Sequence, residues 1–295
     1  MKLVKTAIAL AIGSTLVLSA HAESTLDKIR ASGTITIAYR EASIPFSYLN
    51  EKAQPVGFAW ELSEKIADAV KKELGLASLN IKTQAVTSAN RMPLLSNGTI
   101  DLECGSTTNN TTRAKSVDFS VNYFYTSTRL LVRSDSGING LNDLKGKTLV
   151  STSGTTPLQL IQSTNYRDKL GINIITSNDH DTGFLNVQQG MANAFAMDDV
   201  LIYGLRAAAV KPTDYAVVGE PLNIEPYACM VRKDDAAFKA IVDKTITDLM
   251  DSGEFTEMYN KWFINPIPPK GINLELPMSA ELKANLTEHS DKPAD

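Results

Sequence analysis

Two successive stretches of this sequence alternate short β-rich runs with helical patterns, and this alternation restricts the fold more than any other feature. The first stretch consists of the strand-like runs TITIAYR, NIKTQAV and TIDLEC and the amphipathic helix AWELSEKIADAVKKELG. The second consists of the strand-like runs KTLVST, NIITSND and NAFAMDD and the helical runs TPLQLIQSTNYRD and FLNVQQG. A βαβαβ order predicts neighbouring parallel strands with helices on both faces. The sequence therefore predicts two α/β lobes, each with a mostly parallel sheet flanked by helices.

The first 22 residues read as an export signal. Two lysines precede an apolar stretch, and the segment ends in AHA, a small-residue cleavage site. A membrane anchor is the alternative, but GST at residues 13–15 interrupts the apolar run, which is shorter than the roughly 20 residues that a span needs. We therefore expect cleavage after Ala22 and export of the mature chain to the periplasm.

The composition argues against several classes of partner. The chain has 29 basic and 33 acidic residues and no long basic run, which argues against nucleic acid. Its three histidines and two cysteines form no local cluster with metal-ligand spacing, so we expect no metal and no cofactor. Cys104 and Cys229 lie in apolar, strand-like runs. An oxidising compartment would allow a disulfide between them, and two separate buried thiols are the alternative.

Two polar turns that contain glycine follow predicted strands. GSTTNNTTR, which ends at Arg113, follows TIDLEC, and SGTT at residues 153–156 follows KTLVST. Ligands of open α/β sheets bind at such places, where helix starts present free N–H groups. Ordinary helix capping also explains these runs, but Arg113 could clamp a carboxylate in two places and Asp198 offers the opposite charge. This combination suits a zwitterion such as the head group of an α-amino acid.

The order of these elements resembles that of the periplasmic solute-binding proteins of ABC transporters that carry polar amino acids. The resemblance covers nearly the whole mature chain. It is carried by REASIPFSY, PVGFAWELSEKIADAV, NGTIDLECGSTTNNTTR, VDFSVNYFYTSTRLLV, LNDLKGKTLVSTSGTT, NAFAMDDV, YACMVRKDD and MDSGEFTEMYNKWF. Within the family, NRMPLLSNGTIDLECGSTTNN, TSGTT and NDH are most similar to the glutamate/aspartate-binding branch.

The resemblance implies the type II periplasmic-binding-protein fold, in which two lobes are joined by two hinge strands. Lobe 1 would comprise residues 23–125 and 227–295, and lobe 2 would comprise residues 126–226. The hinges would lie near residues 123–128 and 225–227. This organisation would allow the two lobes to close over a ligand.

The resemblance also implies the ligand-binding residues. At the head group, Ser106, Thr108, Arg113 and Thr155 would bind the α-carboxylate, and Asp198 would bind the α-ammonium group. Relatives with neutral ligands place an aromatic residue where this chain has Ser43 and an aliphatic residue where it has Arg91. Together with Arg40, Arg91 would put two guanidinium groups at the side-chain end of the pocket. The neighbouring hydrogen bonds there would come from Ser88, Thr152 and His180.

These roles predict a monomeric binding protein, not an enzyme, for L-glutamate and L-aspartate. Cations closed over a neutral side chain would stay partly unpaired, whereas a second carboxylate satisfies them. The closed, loaded form would dock on a membrane permease. Two alternatives stay open: a binding protein for glutamine, asparagine or a broader range of amino acids, and a dehydratase-like periplasmic enzyme in which Glu103 would be a candidate general acid.

The tail from INPIPPK onward is expected to wrap the surface and then fray.

Overall fold

The computed structural model describes residues 24–295. The predicted export signal, residues 1–22, lies outside the described residues. Among the residues that the structure does describe, none of the helices has the length and hydropathy that crossing a membrane requires.

Helices and strands follow each other largely as the sequence pattern predicts. The α-helices of residues 24–295 are α1 (Thr25–Ser32), α2 (Phe58–Glu73), α3 (Arg91–Ser96), α4 (Thr156–Arg167), α5 (His180–Gln188), α6 (Asp199–Ala208), α7 (Ala236–Ser252), α8 (Glu254–Tyr259) and α9 (Ala280–Glu288). The strands are β1 (Thr34–Tyr39), β2 (Ala42–Ser43), β3 (Ser47–Leu49), β4 (Pro55–Val56), β5 (Asn80–Ala85), β6 (Leu102–Glu103), β7 (Val117–Phe119), β8 (Phe124–Thr126), β9 (Thr128–Arg133), β10 (Thr148–Thr152), β11 (Asn173–Ser177), β12 (Ala194–Asp198), β13 (Tyr215–Val218), β14 (Glu225–Tyr227) and β15 (Met230–Arg232).

Two five-stranded sheets form the framework. The first has the order β5-β1-β6-β15-β7 and the second the order β11-β10-β12-β9-β13. In the first sheet β1 pairs in parallel with β5 and β6, and β15 runs antiparallel to its neighbours. In the second sheet β10 pairs in parallel with β11 and β12, and β9 runs antiparallel to its neighbours. The predicted α/β fold with two mostly parallel sheets is confirmed, with one antiparallel strand in each.

A separate two-stranded ribbon connects the two sheets. Strand β8 pairs antiparallel with β14, with Phe124 opposite Tyr227 and Thr126 opposite Glu225. The strands lie where the sequence predicts the hinges. Strand β8 leads from the first sheet into β9 of the second, and β14 leads back toward β15 of the first.

Local sequence explains why the site-bearing helices begin where they do. Helix α4 starts after Thr155, whose side chain accepts a hydrogen bond from the backbone N of Leu158, and Pro157 occupies its first turn. Helix α5 starts after Asp179, which accepts from the backbone N of Thr182. In each case the short side chain of the residue before the helix caps its first turn and thereby fixes where the helix begins.

The tail is ordered along its length, so the expectation that it frays was wrong. Helix α9 buries Leu282 and Asn285. Beyond it, Ala294 forms an isolated parallel bridge with Asn110. A helical pattern in MSAELKANLTEH is too short and too polar to stand out in the sequence, because tertiary contacts rather than amphipathicity stabilise it.

Cys104 and Cys229 form a disulfide. Both residues are buried, at 1% and 0% exposure. The bond joins the residue after β6 to the residue before β15, and these two strands are neighbours in the first sheet. The sequence left open whether the two cysteines form a disulfide or stay separate buried thiols, and in the structure they form the disulfide.

Candidate functional site

A narrow polar cavity with about 180 Å³ of empty space, part of it open to solvent, lies between the two sheets. Eight of the ten residues nominated from the sequence line it: Ser88, Arg91, Ser106, Thr108, Arg113, Thr155, His180 and Asp198. Thr156 and Met197 also line it and were not nominated. Arg40 and Thr152 are not among the lining residues in the described conformation; both are buried and each contacts His180.

The lining residues lie where strands end and helices begin. From the first sheet, Ser88 and Arg91 follow β5, and the segment that contains Ser106 and Thr108 follows β6. From the second sheet, the start of α4 follows β10, and Asp198 ends β12. The carboxyl ends of the parallel strands in both sheets face this gap, and so does the start of α4. Pro157 has no N–H and the N–H of Leu158 donates to Thr155 Oγ1, which leaves the N–H of Thr156 for a ligand.

Arg113 spans the gap between the sheets. Its Nη1 donates to the backbone oxygen of Thr108 at 2.9 Å, and its Nη2 donates to the backbone oxygen of Gly154 at 3.1 Å. Burial, and next the charge of Arg91, lower the pKa of Arg113 to about 10, so the guanidinium is protonated at neutral pH. Arg113 is thus a buried cation held against the turn before α4.

Arg91 is also buried, and one of its three guanidinium nitrogens, Nη1, is engaged within the protein. Its Nη1 donates to the backbone oxygen of Ser106 at 3.0 Å and to the hydroxyl of Thr107. The same nitrogen lies 3.6 Å from Oε1 of Glu103. Glu103 is therefore the counterion of Arg91, with its other oxygen accepting from Thr107 at 2.7 Å. A charged residue within the apolar run TIDLEC was the sequence signal for this partner.

Arg40, His180 and Thr152 form a chain of contacts at one end of the cavity. Arg40 Nη2 lies 3.4 Å from His180 Nε2, and His180 Nδ1 lies 2.9 Å from Thr152 Oγ1. Guanidinium nitrogens can only donate, so Nε2 accepts and the imidazole proton sits on Nδ1. Burial, and next the charge of Arg40, lower the pKa of His180 well below its usual value, which keeps the ring neutral. Burial, and next Arg91, lower the pKa of Arg40 to about 9.

Asp198 provides the carboxylate of the site. Its Oδ2 accepts a hydrogen bond from the hydroxyl of Tyr227 at 2.5 Å. Burial, and next the neighbouring charge of Glu225, raise the pKa of Asp198 well above its usual value. A cationic group placed against this carboxylate would favour its charged form and oppose that shift.

Glu225 on β14 holds two of the hydroxyls that line the cavity. Its Oε2 accepts from Thr108 Oγ1 at 2.5 Å and from Thr156 Oγ1. Its Oε1 accepts from Thr128 Oγ1 at 3.1 Å and from Asn223 Nδ2 at 2.7 Å. In the described conformation the hydroxyl hydrogen of Thr108 is therefore directed to Glu225, and donation to a carboxylate, as the sequence analysis expected, would require this bond to break. Glu225 was considered there only as part of a hinge.

Several buried polar atoms around the cavity have no hydrogen-bond partner within residues 24–295. They are Arg40 Nη1, Ser88 Oγ, Arg91 Nε, Glu103 Oε1 and Asp198 Oδ1. Buried polar atoms in folded proteins are nearly always paired. Three of these five atoms belong to groups that donate hydrogen bonds, and two are carboxylate oxygens. The arrangement suits a guest that carries both acceptor oxygens and a cationic donor.

Comparisons with known proteins agree with this geometry. The chain matches the bacterial extracellular solute-binding proteins, family 3, over residues 35–265. It is 50% identical over 294 residues to the L-glutamate/L-aspartate-binding protein of Pseudomonas aeruginosa, which covers 99% of this chain and 97% of that protein. It is 45% identical over 271 residues to the glutamate/aspartate import solute-binding protein of Escherichia coli, which covers 92% of this chain and 90% of that protein. A solved structure of an ancestral arginine-binding protein bound to arginine matches with a TM-score of 0.70 at 26% identity, covering 78% of this chain and 98% of that one.

These relatives confirm the resemblance that the sequence motifs indicated and the two-lobed fold that it implied. They are solute-binding proteins and not enzymes, which decides against the dehydratase-like alternative. The chain has two lobes with a polar cavity between them, and the family model matches it over most of its length. It therefore belongs to the bacterial extracellular solute-binding proteins of family 3.

Proposed function

We propose that this chain captures L-glutamate or L-aspartate in the cavity between its two sheets and delivers it to the membrane permease of an ABC importer. It would work as a monomer in the periplasm, after removal of residues 1–22. Its relatives in Pseudomonas aeruginosa and Escherichia coli are named for the same two amino acids.

The observation that carries the proposal is the set of unpartnered donors beside His180. Arg40 Nη1, Arg91 Nε and Ser88 Oγ are buried and have no acceptor in the described part of the chain. A side-chain carboxylate would bring two acceptor oxygens and a negative charge to these donors. An amide would bring one oxygen and an NH₂ group that must face a guanidinium, which leaves donors unpaired at a cost of about 1–3 kcal/mol.

The head group would lie at the other end of the cavity. The α-carboxylate would accept from Arg113 and from the backbone N–H of Thr156 at the start of α4. The α-ammonium group would donate to Asp198 Oδ1, which has no partner within residues 24–295. It could also donate to the lone pairs of Thr108 Oγ1, because that hydroxyl already gives its hydrogen to Glu225. Thr108 would therefore serve the ammonium group instead of the carboxylate.

Ligand capture would involve closure of the two lobes about the β8–β14 ribbon. We propose lobe 1 as residues 23–125 and 227–295, and lobe 2 as residues 126–226, with bending near residues 123–128 and 225–227. The bond from Arg113 to Gly154 and the bond from Thr108 to Glu225 link the two lobes in the described conformation. Closure would be favoured when the ligand adds contacts that the open form lacks.

Isothermal titration calorimetry on purified residues 23–295 tests the proposal. We expect glutamate and aspartate to bind with micromolar or lower dissociation constants, about −8 kcal/mol or more favourable. Glutamine and asparagine should bind at least about tenfold more weakly, because one poorly satisfied buried donor costs about 1.4 kcal/mol or more. Tight binding of glutamine with no heat from glutamate would refute the acidic-ligand assignment.

A further inference from the structure

The C-terminal residues pack against the loop that carries Arg113. Residues 290–294 form what we term the C-terminal strap. The backbone N of Ala294 donates to the oxygen of Asn109 at 2.9 Å, and the backbone N of Thr111 donates to the oxygen of Ala294 at 3.0 Å. The strap thus pairs with the loop as a short parallel strand would, and it uses backbone atoms on both sides.

Two fully buried amide side chains bind the strap. Asn109, 1% exposed, donates through Nδ2 to the backbone oxygen of Asp291 at 2.8 Å and to Oδ1 of Asn122 at 3.0 Å. Asn122, 0% exposed, donates through Nδ2 to the backbone oxygen of Lys292 at 2.9 Å. Buried amides without partners are costly, so these two side chains depend on the strap. Since they contact its carbonyl oxygens, these bonds do not depend on which side chains the strap carries.

Helix α9 anchors the strap at its other end. Asn285 is buried in α9, and its Oδ1 accepts from the backbone N of Ser290 at 2.7 Å. Its Nδ2 donates to the backbone oxygen of Asn122 at 2.6 Å. The strap therefore leaves a fixed helix and is directed onto the loop, which excludes a freely hanging chain end.

The atoms that orient Arg113 belong to the same stretch of loop. The backbone N of Arg113 donates to Oδ1 of Asn110 at 2.8 Å, and its Nη1 donates to the backbone oxygen of Thr108 at 2.9 Å. Both acceptors flank Asn109, the residue to which the strap is bonded. Movement of this stretch would move the guanidinium.

We propose that the C-terminal strap is a positioning element of the ligand site, which holds residues 108–111 so that Arg113 is already oriented for the α-carboxylate. The inference rests on the proposed function. Without the strap, the loop would have to become ordered when the ligand binds, and that entropy loss would weaken binding. The weakening should be the same for glutamate and aspartate, because Arg113 addresses the head group that they share.

A chain that ends after Ser290 tests the proposal, with the full-length Lys292→Ala variant as its control. Calorimetry should show dissociation constants about tenfold higher for both amino acids in the shortened chain and unchanged in the control. In the ligand-free protein, the backbone amide of Arg113, whose acceptor is Asn110 and not the strap, should exchange with deuterium faster in the shortened chain. A shortened chain that binds within twofold of the full-length protein would overturn the proposal.

A second pair of variants keeps the chain at full length. Ala294→Pro removes the N–H that donates to Asn109, and Ala294→Ser keeps it. We expect a severalfold higher dissociation constant for the proline variant alone, with the thermal midpoints of both variants near that of the wild type. Equal affinities of the two variants, with unchanged exchange at Arg113, would contradict the positioning role.

The exchange measurement separates this inference from the proposed function. It needs no ligand, so it reports on the strap whichever amino acid the wild-type protein binds. If calorimetry identifies a different amino acid, the same variants are compared with that ligand, because every α-amino acid presents a carboxylate to Arg113.

Discussion

At the scale of single residues, the structure separates two arginines that the sequence analysis treated alike. Arg91 has a buried counterion in Glu103 and donates to the backbone of Ser106. Arg40 has one long contact, to His180, and its Nη1 has no partner within residues 24–295. Removing Arg91 would leave Glu103 buried without its counterion, which is strongly destabilising. Arg40 is therefore the cation through which selectivity can be tested without disturbing an ion pair.

Arg40→Met should lower the affinity for acidic amino acids selectively. Hydrogen bonds to charged groups contribute about 1.5–3 kcal/mol, so the dissociation constants for glutamate and aspartate should rise roughly 10- to 100-fold. Binding of glutamine should change by less than about threefold, since an amide gains little from this guanidinium. Calorimetry with the three ligands measures the difference.

The matched control is Arg30→Met. Arg30 lies in α1, is exposed, and forms a surface ion pair with Asp27. Its loss should change none of the three affinities, because exposed ion pairs contribute little. If Arg40→Met weakened glutamine and glutamate by the same factor, the assignment of Arg40 to the side-chain end would be wrong.

At the scale of elements, Glu225 makes the hinge ribbon part of the site. Strand β14 places its carboxylate where it accepts from Thr108, which follows β6, and from Thr156, at the start of α4. These two hydroxyls belong to the two proposed lobes. If the ribbon bends as proposed, at least one of the two bonds would break, so we expect Glu225 to favour the described arrangement whatever the ligand's side chain is.

Glu225→Gln should weaken all ligands alike. A glutamine amide NH₂ cannot accept the hydroxyl hydrogens, so at least one bond to Thr108, Thr156 or Thr128 is lost. We expect dissociation constants for glutamate and aspartate to rise by the same factor, roughly 10-fold for a loss of about 1.4 kcal/mol, as calorimetry would show. Glu220→Gln, at an exposed position before the same strand, is the control and should have no effect. A selective loss for one ligand would contradict a role in closure.

The sequence predicted the elements better than the contacts between them. Alternating strand and helix patterns gave both sheets, because apolar periodicity and capping residues are local signals. The polar turns gave half of the cavity lining, because strand ends meet in one gap. Glu103 and Glu225 were not identified as partners of Arg91 and Thr108, since these pairings depend on side-chain directions set by tertiary packing. The strap escaped detection for the same reason, as its bonds use backbone atoms that carry no sequence signal.

At the scale of the whole molecule, the disulfide closes a long excursion of the chain. Cys104 and Cys229 are 125 residues apart, and the intervening chain includes the entire second sheet. The bond lies in the first sheet, next to the ends of the ribbon. In the unfolded chain, the bond holds together the two ends of the segment that forms the second sheet. In the folded protein, it does not join the second sheet covalently to the first.

The double variant Cys104→Ala with Cys229→Ala should be less stable by about 2–5 kcal/mol, since large loops lose most when a disulfide is removed. Urea denaturation followed by far-UV circular dichroism measures the free energy of unfolding. Dithiothreitol serves as the control: it should lower the stability of the wild type during unfolding and leave the double variant unchanged. A difference below about 1 kcal/mol would show that the disulfide contributes little.

The bond between Ala294 and Asn109 has a practical consequence for fusion proteins. A fluorescent reporter or purification tag joined directly after Asp295 is separated from the bonded residue Ala294 by one residue. At the opposite end, Thr25 is hydrogen-bonded to Asp235 and Arg232, which belong to neither the cavity nor the strap. A biosensor that should retain its native affinity is better attached before Ser24, and one whose signal should respond to occupancy is better attached after Asp295.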